Sequence, residues 1–141
     1  MTFGEYKPEW ANNTLGPRKF NEAGHIDFLK EEIIVTDPNT GGMKASKPSQ
    51  LGFIDPVALE ELGNIAGMGA EKYEPWNYLK GYNYSLSYNA MLRHMNAYWR
   101  GEDLDPESGR HHMGHAAWHG LAIVSFDIRG IGNDDRFRHA N

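Results

Sequence analysis

The sequence predicts an all-α fold, a compact bundle of three to four helices with an extended N-terminal arm. Segments near 56–68, 85–100 and 110–128 place apolar residues at helical spacing. The first 42 residues carry little periodicity and are interrupted by Pro8, Pro17, Pro38 and Gly41-Gly42. A chain of 141 residues is long enough for one core but not two. The chain divides accordingly into an arm (1–42), a helical domain (43–130) and a C-terminal tail (131–141).

The arm reads as mostly extended. Ile33-Ile34-Val35 fits a short strand or an edge piece, closed by the turn residues Asp37-Pro38-Asn39-Thr40-Gly41-Gly42. Its aromatics Phe3, Tyr6, Trp10, Phe20 and Phe28 fit a segment packed on a partner subunit or a partly ordered tail.

Asp55 before Pro56 is an N-cap followed by proline at the first helical position. The first helix should run from Pro56 to about Met68, with Leu59, Leu62, Ile65 and Ala66 as its apolar stripe, and end or bend at Gly67-Met68-Gly69. Ala58, Glu61 and Ile65 share a face, so Glu61 lies beside the stripe and Glu60 points to solvent. The second helix should run from Ser85 or Ser87 to Arg100, burying Leu86, Ala90, Met91, Met95 and Tyr98 or Trp99, and stop at Gly101. The third should start near Arg110 and reach Ile128, with Met113, Ala117, Leu121 and Val124 toward the core. The Gly-, Asp- and Arg-rich tail from Arg129 should fray.

Bulk composition removes several functions. A net charge of −5 argues against a nucleic-acid polymer as partner. The absence of cysteine excludes disulfides and a thiolate zinc site. No apolar run opens the chain and none is long enough for a membrane span, so no membrane association and a cytoplasmic location are expected. There is no P-loop, no G-x-G-x-x-G, no His-Glu-x-x-His and no G-x-S-x-G.

The chemistry concentrates between Met91 and Phe126. Four of the seven histidines, His111, His112, His115 and His119, fall within this stretch's third helix or its lead-in, and His94 lies on the second. His112, His115 and His119 share one helical face. Glu102, Asp105 and Glu107, with Asp103, crowd the link between the helices. Such a loop is either solvated or holds a hard cation such as Mg²⁺, and it lacks the calcium-loop spacing. Upstream, Lys72 stands among Tyr73, Trp76 and Tyr78, a set able to hold a phosphate and stack a base, or simply to pack at the surface.

From Met43 to Phe126 the chain resembles a family of small phage and prophage domains described as dATP/dGTP diphosphohydrolases. The likeness rests on an ordered set of motifs: Lys47-Pro48, Ala58-Leu59-Glu60-Glu61-Leu62, Gly69-Ala70-Glu71-Lys72-Tyr73, Ala90-Met91-Leu92-Arg93-His94, then Gly101-Glu102-Asp103-Leu104-Asp105-Pro106-Glu107-Ser108-Gly109 and His112-Met113-Gly114-His115-Ala116. Asn77-Tyr78 stands where the family has Asn-Trp. The family is similar to all-α, MazG-like nucleotide pyrophosphatases. The resemblance implies metal-dependent cleavage of a purine deoxynucleoside triphosphate to the monophosphate and pyrophosphate.

It further implies site residues. Glu102, Asp105 and Glu107 with one or more of His94, His112 and His115 would hold the metal. Lys72 and Arg93 would neutralise the phosphates, with Glu61 as general base and His94 beside them. Tyr73, Trp76, Asn77 and Lys47 would bind the nucleotide. MazG-like cores carry Glu-x-x-Glu and Glu-x-x-Asp, whereas this chain has Glu61 near Asn64 and His112 with His115. Imidazoles in those places move the metal preference from Mg²⁺ toward Mn²⁺ or Zn²⁺. A homo-oligomer with sites near subunit contacts is expected. The alternative is a protein that sequesters a nucleotide or cyclic nucleotide without cutting it.

Overall fold

The computed structural model describes residues 33–47 and 49–137. The arm residues 1–32 with their aromatics, Pro48 of the Lys47-Pro48 motif, and residues 138–141 lie outside the described residues. The core is all-α as expected, built from α1 (Pro56–Lys72), α2 (Tyr84–Trp99) and α3 (His112–Arg129). Short 3₁₀ turns at Leu51–Phe53 and Asn77–Lys80 lead into α1 and α2. A hairpin precedes them, β1 (Ile33–Thr36) paired antiparallel with β2 (Met43–Ser46), Ile33 opposite Ser46. Asp37 shapes its turn by accepting from the N–H groups of Asn39 and Thr40, both at 2.8 Å. Ile33-Ile34-Val35 is therefore a strand, and the stretch before residue 43 is not extended throughout.

Asp55 caps α1 as expected, accepting from Val57 N–H at 2.9 Å, with Pro56 in the first turn. The helix does not stop at Gly67-Met68-Gly69 but continues to Lys72, where Tyr73 N–H closes on the Gly69 carbonyl at 3.0 Å. Glycine inside a helix costs about 1 kcal/mol relative to alanine and does not forbid it. The effective stop is Tyr73, which leaves helical geometry two residues before Pro75.

The tail does not fray over residues 131–136. Asn133 pairs with Tyr82 and Tyr84 through backbone hydrogen bonds of 3.1 and 3.0 Å. Asp135 accepts from Ser85 N–H at 2.9 Å and so caps α2 from 50 residues away. This return is possible because Gly81 (φ +79°) and Gly132 (φ +77°) cross closely. A Cβ on Gly81 would lie 2.4 Å from Gly132 N.

The buried faces of α2 and α3 agree with those expected at Ala90 and differ elsewhere. Tyr84, Ser87, Ala90 and Ala97 are the buried residues of α2, while Leu86 and Trp99 are 60% and 88% exposed. On α3 the buried residues are His112, Ala116, Ala122 and Phe126, while Leu121 and Val124 face outward. The periodicity was correct, but the phase was set by size. The alanines let α2 and α3 approach along the histidine stripe, and Phe126 anchors the far end between Tyr82 and Tyr84, ring centres 4.9 and 5.6 Å away. Helix α1 meets α3 at Gly114, where a Cβ would come 2.9 Å from Ile65 Cδ1 and 3.1 Å from Glu61 Cγ.

Candidate functional site

Because α2 and α3 meet along the histidine stripe, four imidazoles gather there, three of them stacked and His112 tilted by 48° against His94. His94 lies parallel to His115 with ring centres 4.4 Å apart, and near-parallel to His119 at 6.2 Å. His94 Nδ1 is also 2.9 Å from His112 Nδ1. One of these nitrogens must donate and the other accept, which ties the tautomers of the two rings together. When His112 Nδ1 donates, His112 Nε2 presents a bare lone pair.

That Nε2 is buried without a hydrogen-bond partner, and His112 is only 4% exposed. An orphaned polar atom at such a place calls for a ligand. The Glu102 carboxylate stands off at 3.9 Å. Ligand atoms of His94, Asp105 and His112 all lie within 4.8 Å of one another. Two imidazoles and a carboxylate form a donor set that fits a divalent transition metal better than Mg²⁺.

The link between α2 and α3 carries Asp105 to this place. It folds back on itself, with Asp105 N–H donating to Arg110 O at 2.8 Å and His112 N–H to Asp103 O at 3.0 Å. Ser108 Oγ donates to Asp105 Oδ2 at 2.6 Å, so it accepts from His115 Nε2–H at 2.8 Å. Burial pushes the Asp105 carboxyl up, but the Ser108 hydroxyl and the loop N–H groups outweigh it and hold the group below the ordinary carboxylate range. Desolvation lowers His94 and His115, in His94 reinforced by its imidazole neighbours, and lowers His119 to about 4. Neutral imidazoles are what metal ligation requires.

The other residues singled out in the sequence are distributed around this cluster. Glu61 Oε1 accepts from His111 N–H at 2.9 Å and Oε2 from Arg110 Nη1 at 3.2 Å, tying α1 to the start of α3. The His111 N–H is the main reason its carboxyl sits below its ordinary value, outweighing desolvation, with Arg110 assisting. Glu107 is exposed, and Glu102 is paired with Arg100 at 3.1 Å. Arg93 is exposed beside His94, Lys47 lies in the segment before α1, and Lys72 Nζ sits 5.7 Å from the Tyr73 ring centre.

A cavity of about 870 Å³ opens between α1, the 3₁₀ turn and α3. Tyr73, Trp76, Asn77, Tyr78 and Trp118 wall it, with Tyr78 edge-on to Trp118 at 5.1 Å. Its polar lining includes Ser87, Tyr82 and His119, the last also in the histidine column. Trp76 is the single non-glycine at positive φ (+64°) among the described residues, and it stands 71% exposed at this cavity. Strain of this kind persists only where the surroundings impose it.

Sequence reasoning did not single out Ser108, Ser87, Tyr82 or Trp118. The Asp105-x-x-Ser108 spacing, a turn in which the side chains bond locally, was a usable signal for the first. Ser87 and Tyr82 had none, since their significance comes from contact with α3.

Among the described residues no helix is long and apolar enough to cross a membrane. No curated protein and no solved structure matches the chain. A family model described as dATP/dGTP diphosphohydrolase, N-terminal, matches residues 38–136 and takes in β2, all three helices and the returning tail. The chain belongs to the dATP/dGTP diphosphohydrolase family.

Proposed function

We propose that this protein hydrolyses purine deoxynucleoside triphosphates to the monophosphate and pyrophosphate with a divalent metal held by His94, Asp105 and His112. The observation that carries the reading is the convergence of His94, Asp105 and His112, whose ligand atoms lie within 4.8 Å of one another, in a histidine cluster whose His119 lines an aromatic cavity of nucleotide size. A bound divalent cation would supply charge to polarise the phosphates and a water for attack. Mn²⁺ or Zn²⁺ suits the donors best, with Mg²⁺ also to be tested.

The chain's own groups do the rest. Asp105 is kept ionised and oriented by Ser108, and His115 stacks on His94 to fix its plane. Arg93 and Lys72, both exposed, neutralise the triphosphate as water adds and the bond between the α and β phosphates breaks. Glu102 and Glu107 lie on the loop that would face the pyrophosphate and its counter-ion. Glu61 is ionised and available as a base, although its two hydrogen bonds also make it a tether. Tyr73, Trp76 and Asn77 take the base, and Lys47 approaches from the segment before α1. Exposed Leu86, Trp99, Leu121 and Val124 support assembly into a homo-oligomer. A cytoplasmic setting supplies the substrate.

The test is product analysis with the four dNTPs and Mg²⁺, Mn²⁺ or Zn²⁺. Monophosphate plus pyrophosphate, lost in His112→Ala and Asp105→Asn, supports the proposal. Nucleotides left intact with every metal overturn it, and retention of intact nucleotide on the protein would then identify a sequestering function.

A further inference from the structure

Tyr82, Ser87 and His119 form a hydrogen-bonded chain on the wall of the aromatic cavity. Tyr82 Oη is 2.8 Å from Ser87 Oγ, and Ser87 Oγ is 3.2 Å from His119 Nδ1. Ser87 is 1% exposed, so its hydroxyl has no access to water and must serve these two neighbours. His119 Nε2 makes no hydrogen bond among the described residues, although the ring lines the cavity. The chain therefore ends at His119 Nε2, on a ring that lines the cavity.

Both links are symmetric in polarity. In one sense Tyr82 O–H donates to Ser87, Ser87 O–H donates to His119 Nδ1, and the proton of the neutral ring sits on Nε2, a donor. In the other sense His119 Nδ1–H donates to Ser87, Ser87 O–H donates to Tyr82 Oη, and Nε2 is an acceptor. Two hydroxyl rotations and a change of tautomer interconvert them, with no change of net charge. Two linked hydroxyls, that of Ser87 buried, next to an imidazole are thus a ligand contact of either polarity.

Adenine and guanine differ in this respect at position 6, where one carries an amino donor and the other an oxo acceptor. A fixed donor or a fixed acceptor would reject one of them. We infer that the Tyr82–Ser87–His119 chain contacts position 6 of the base, and that its reversible polarity lets one pocket take both 6-amino and 6-oxo purines. The aromatic walls Trp76, Tyr78 and Trp118 supply stacking that does not discriminate between them. The inference rests on the proposal that this cavity holds the base of a deoxynucleoside triphosphate.

The discriminating variant is Tyr82→Phe. It keeps the ring that packs edge-on against Phe126 and removes the hydroxyl toward which Ser87 must donate in the second sense. The chain is then biased to the sense in which Nε2 donates, which suits a 6-oxo purine. The kcat/KM for dATP should fall roughly tenfold relative to dGTP and dITP, the loss carried by KM, as expected for one misdirected hydrogen bond. A dATP/dGTP ratio equal to wild type, or shifted toward dATP, overturns the inference. Wild-type protein provides an independent measurement. A purine deoxynucleoside triphosphate with hydrogen at position 6 should bind about tenfold more weakly than dATP and dGTP, read by quenching of tryptophan fluorescence. Equal binding overturns the inference while leaving the hydrolase reading intact. If wild type neither binds nor cleaves any purine dNTP with any of the metals, the proposed function itself falls, and the inference with it.

Discussion

Ser108 holds Asp105 by its side chain, donating from Oγ to Oδ2 at 2.6 Å while its own N–H reaches the same oxygen at 3.1 Å. The carboxylate is thereby aimed at His94 and His112 before any cation arrives. Replacing Ser108 with alanine removes the hydroxyl that also receives His115 Nε2–H. Metal affinity, measured by calorimetry with Mn²⁺ and Zn²⁺, should fall about 10- to 100-fold, the usual cost of losing a group that orients a ligand. Stability should fall by only about 1 kcal/mol. Unchanged affinity would show that Asp105 is not a ligand.

Glu61 separates tether from base. Its side chain is about three-quarters buried (26% exposed) and meets Arg110 and His111 N–H. Glu61→Ala leaves a backbone donor and a cation without their acceptor, so the urea midpoint should drop by an amount equivalent to about 1–3 kcal/mol. Glu61→Gln keeps an acceptor for His111 N–H and should lose roughly half as much. If Glu61 is also the base, Glu61→Gln lowers kcat by at least about 100-fold at undiminished nucleotide affinity. A kcat within a few-fold of wild type assigns Glu61 to the tether alone.

Acid should weaken the fold through the histidine column. His119 is lowered to about 4 by burial, from an ordinary value of 6.5. A depressed histidine binds fewer protons folded than unfolded, so stability is complete above the unfolded value and declines as pH falls from 6.5 to about 4. Below that both states are protonated and the loss levels off. The contribution is on the order of 2 kcal/mol after allowing for partial solvent access. Urea unfolding in chelator at pH 7.5 and pH 4.5 should show this decline, and His119→Asn should flatten it. An equal decline in the variant would place the effect in His94 and His115, which are lowered in the same direction.

The parts legible in the sequence were those whose causes are local. Asp55-Pro56 fixed the start of α1 because a cap and a proline act within one turn. The histidine spacing on α3 identified a common face. Which face became the interior was not legible, because Leu121 and Val124 are the more apolar choice and only the alanines of the facing helix explain why His112 is inside instead. The cap that Asp135 gives to α2 and the Tyr82–Ser87–His119 chain join residues 50 and 32 positions apart, which no local pattern encodes. At the site, Asp105 and His112 converge with His94, whereas Glu107 remains exposed, although all stood out equally in the motif.

Metal binding should register as folding stability. A ligand that binds only the native state raises the melting temperature in proportion to the logarithm of its concentration. Wild type stripped with chelator should therefore gain several degrees on addition of Mn²⁺ or Zn²⁺ at about 100 times Kd, equivalent to about 2.7 kcal/mol. His112→Ala and Asp105→Asn should show no gain. A full gain in both variants would move the metal to another place in the fold.

The glycines inside α1 set stability against binding. A Cβ on Gly67 or Gly69 would meet no atom within 4 Å, so neither glycine is required by packing. Both line the aromatic cavity, with Ala66 and Ala70 beside them. Alanine at both positions should raise stability by up to about 1 kcal/mol each, because glycine is the weaker helix former. The same methyls narrow the space left for a base, so nucleotide affinity should fall by about threefold or more while metal affinity stays unchanged. A helix that accepts this cost at two positions facing one cavity is explained if the cavity has an occupant. Variants that gain stability and bind dATP and dGTP as wild type does would show that the base lies elsewhere.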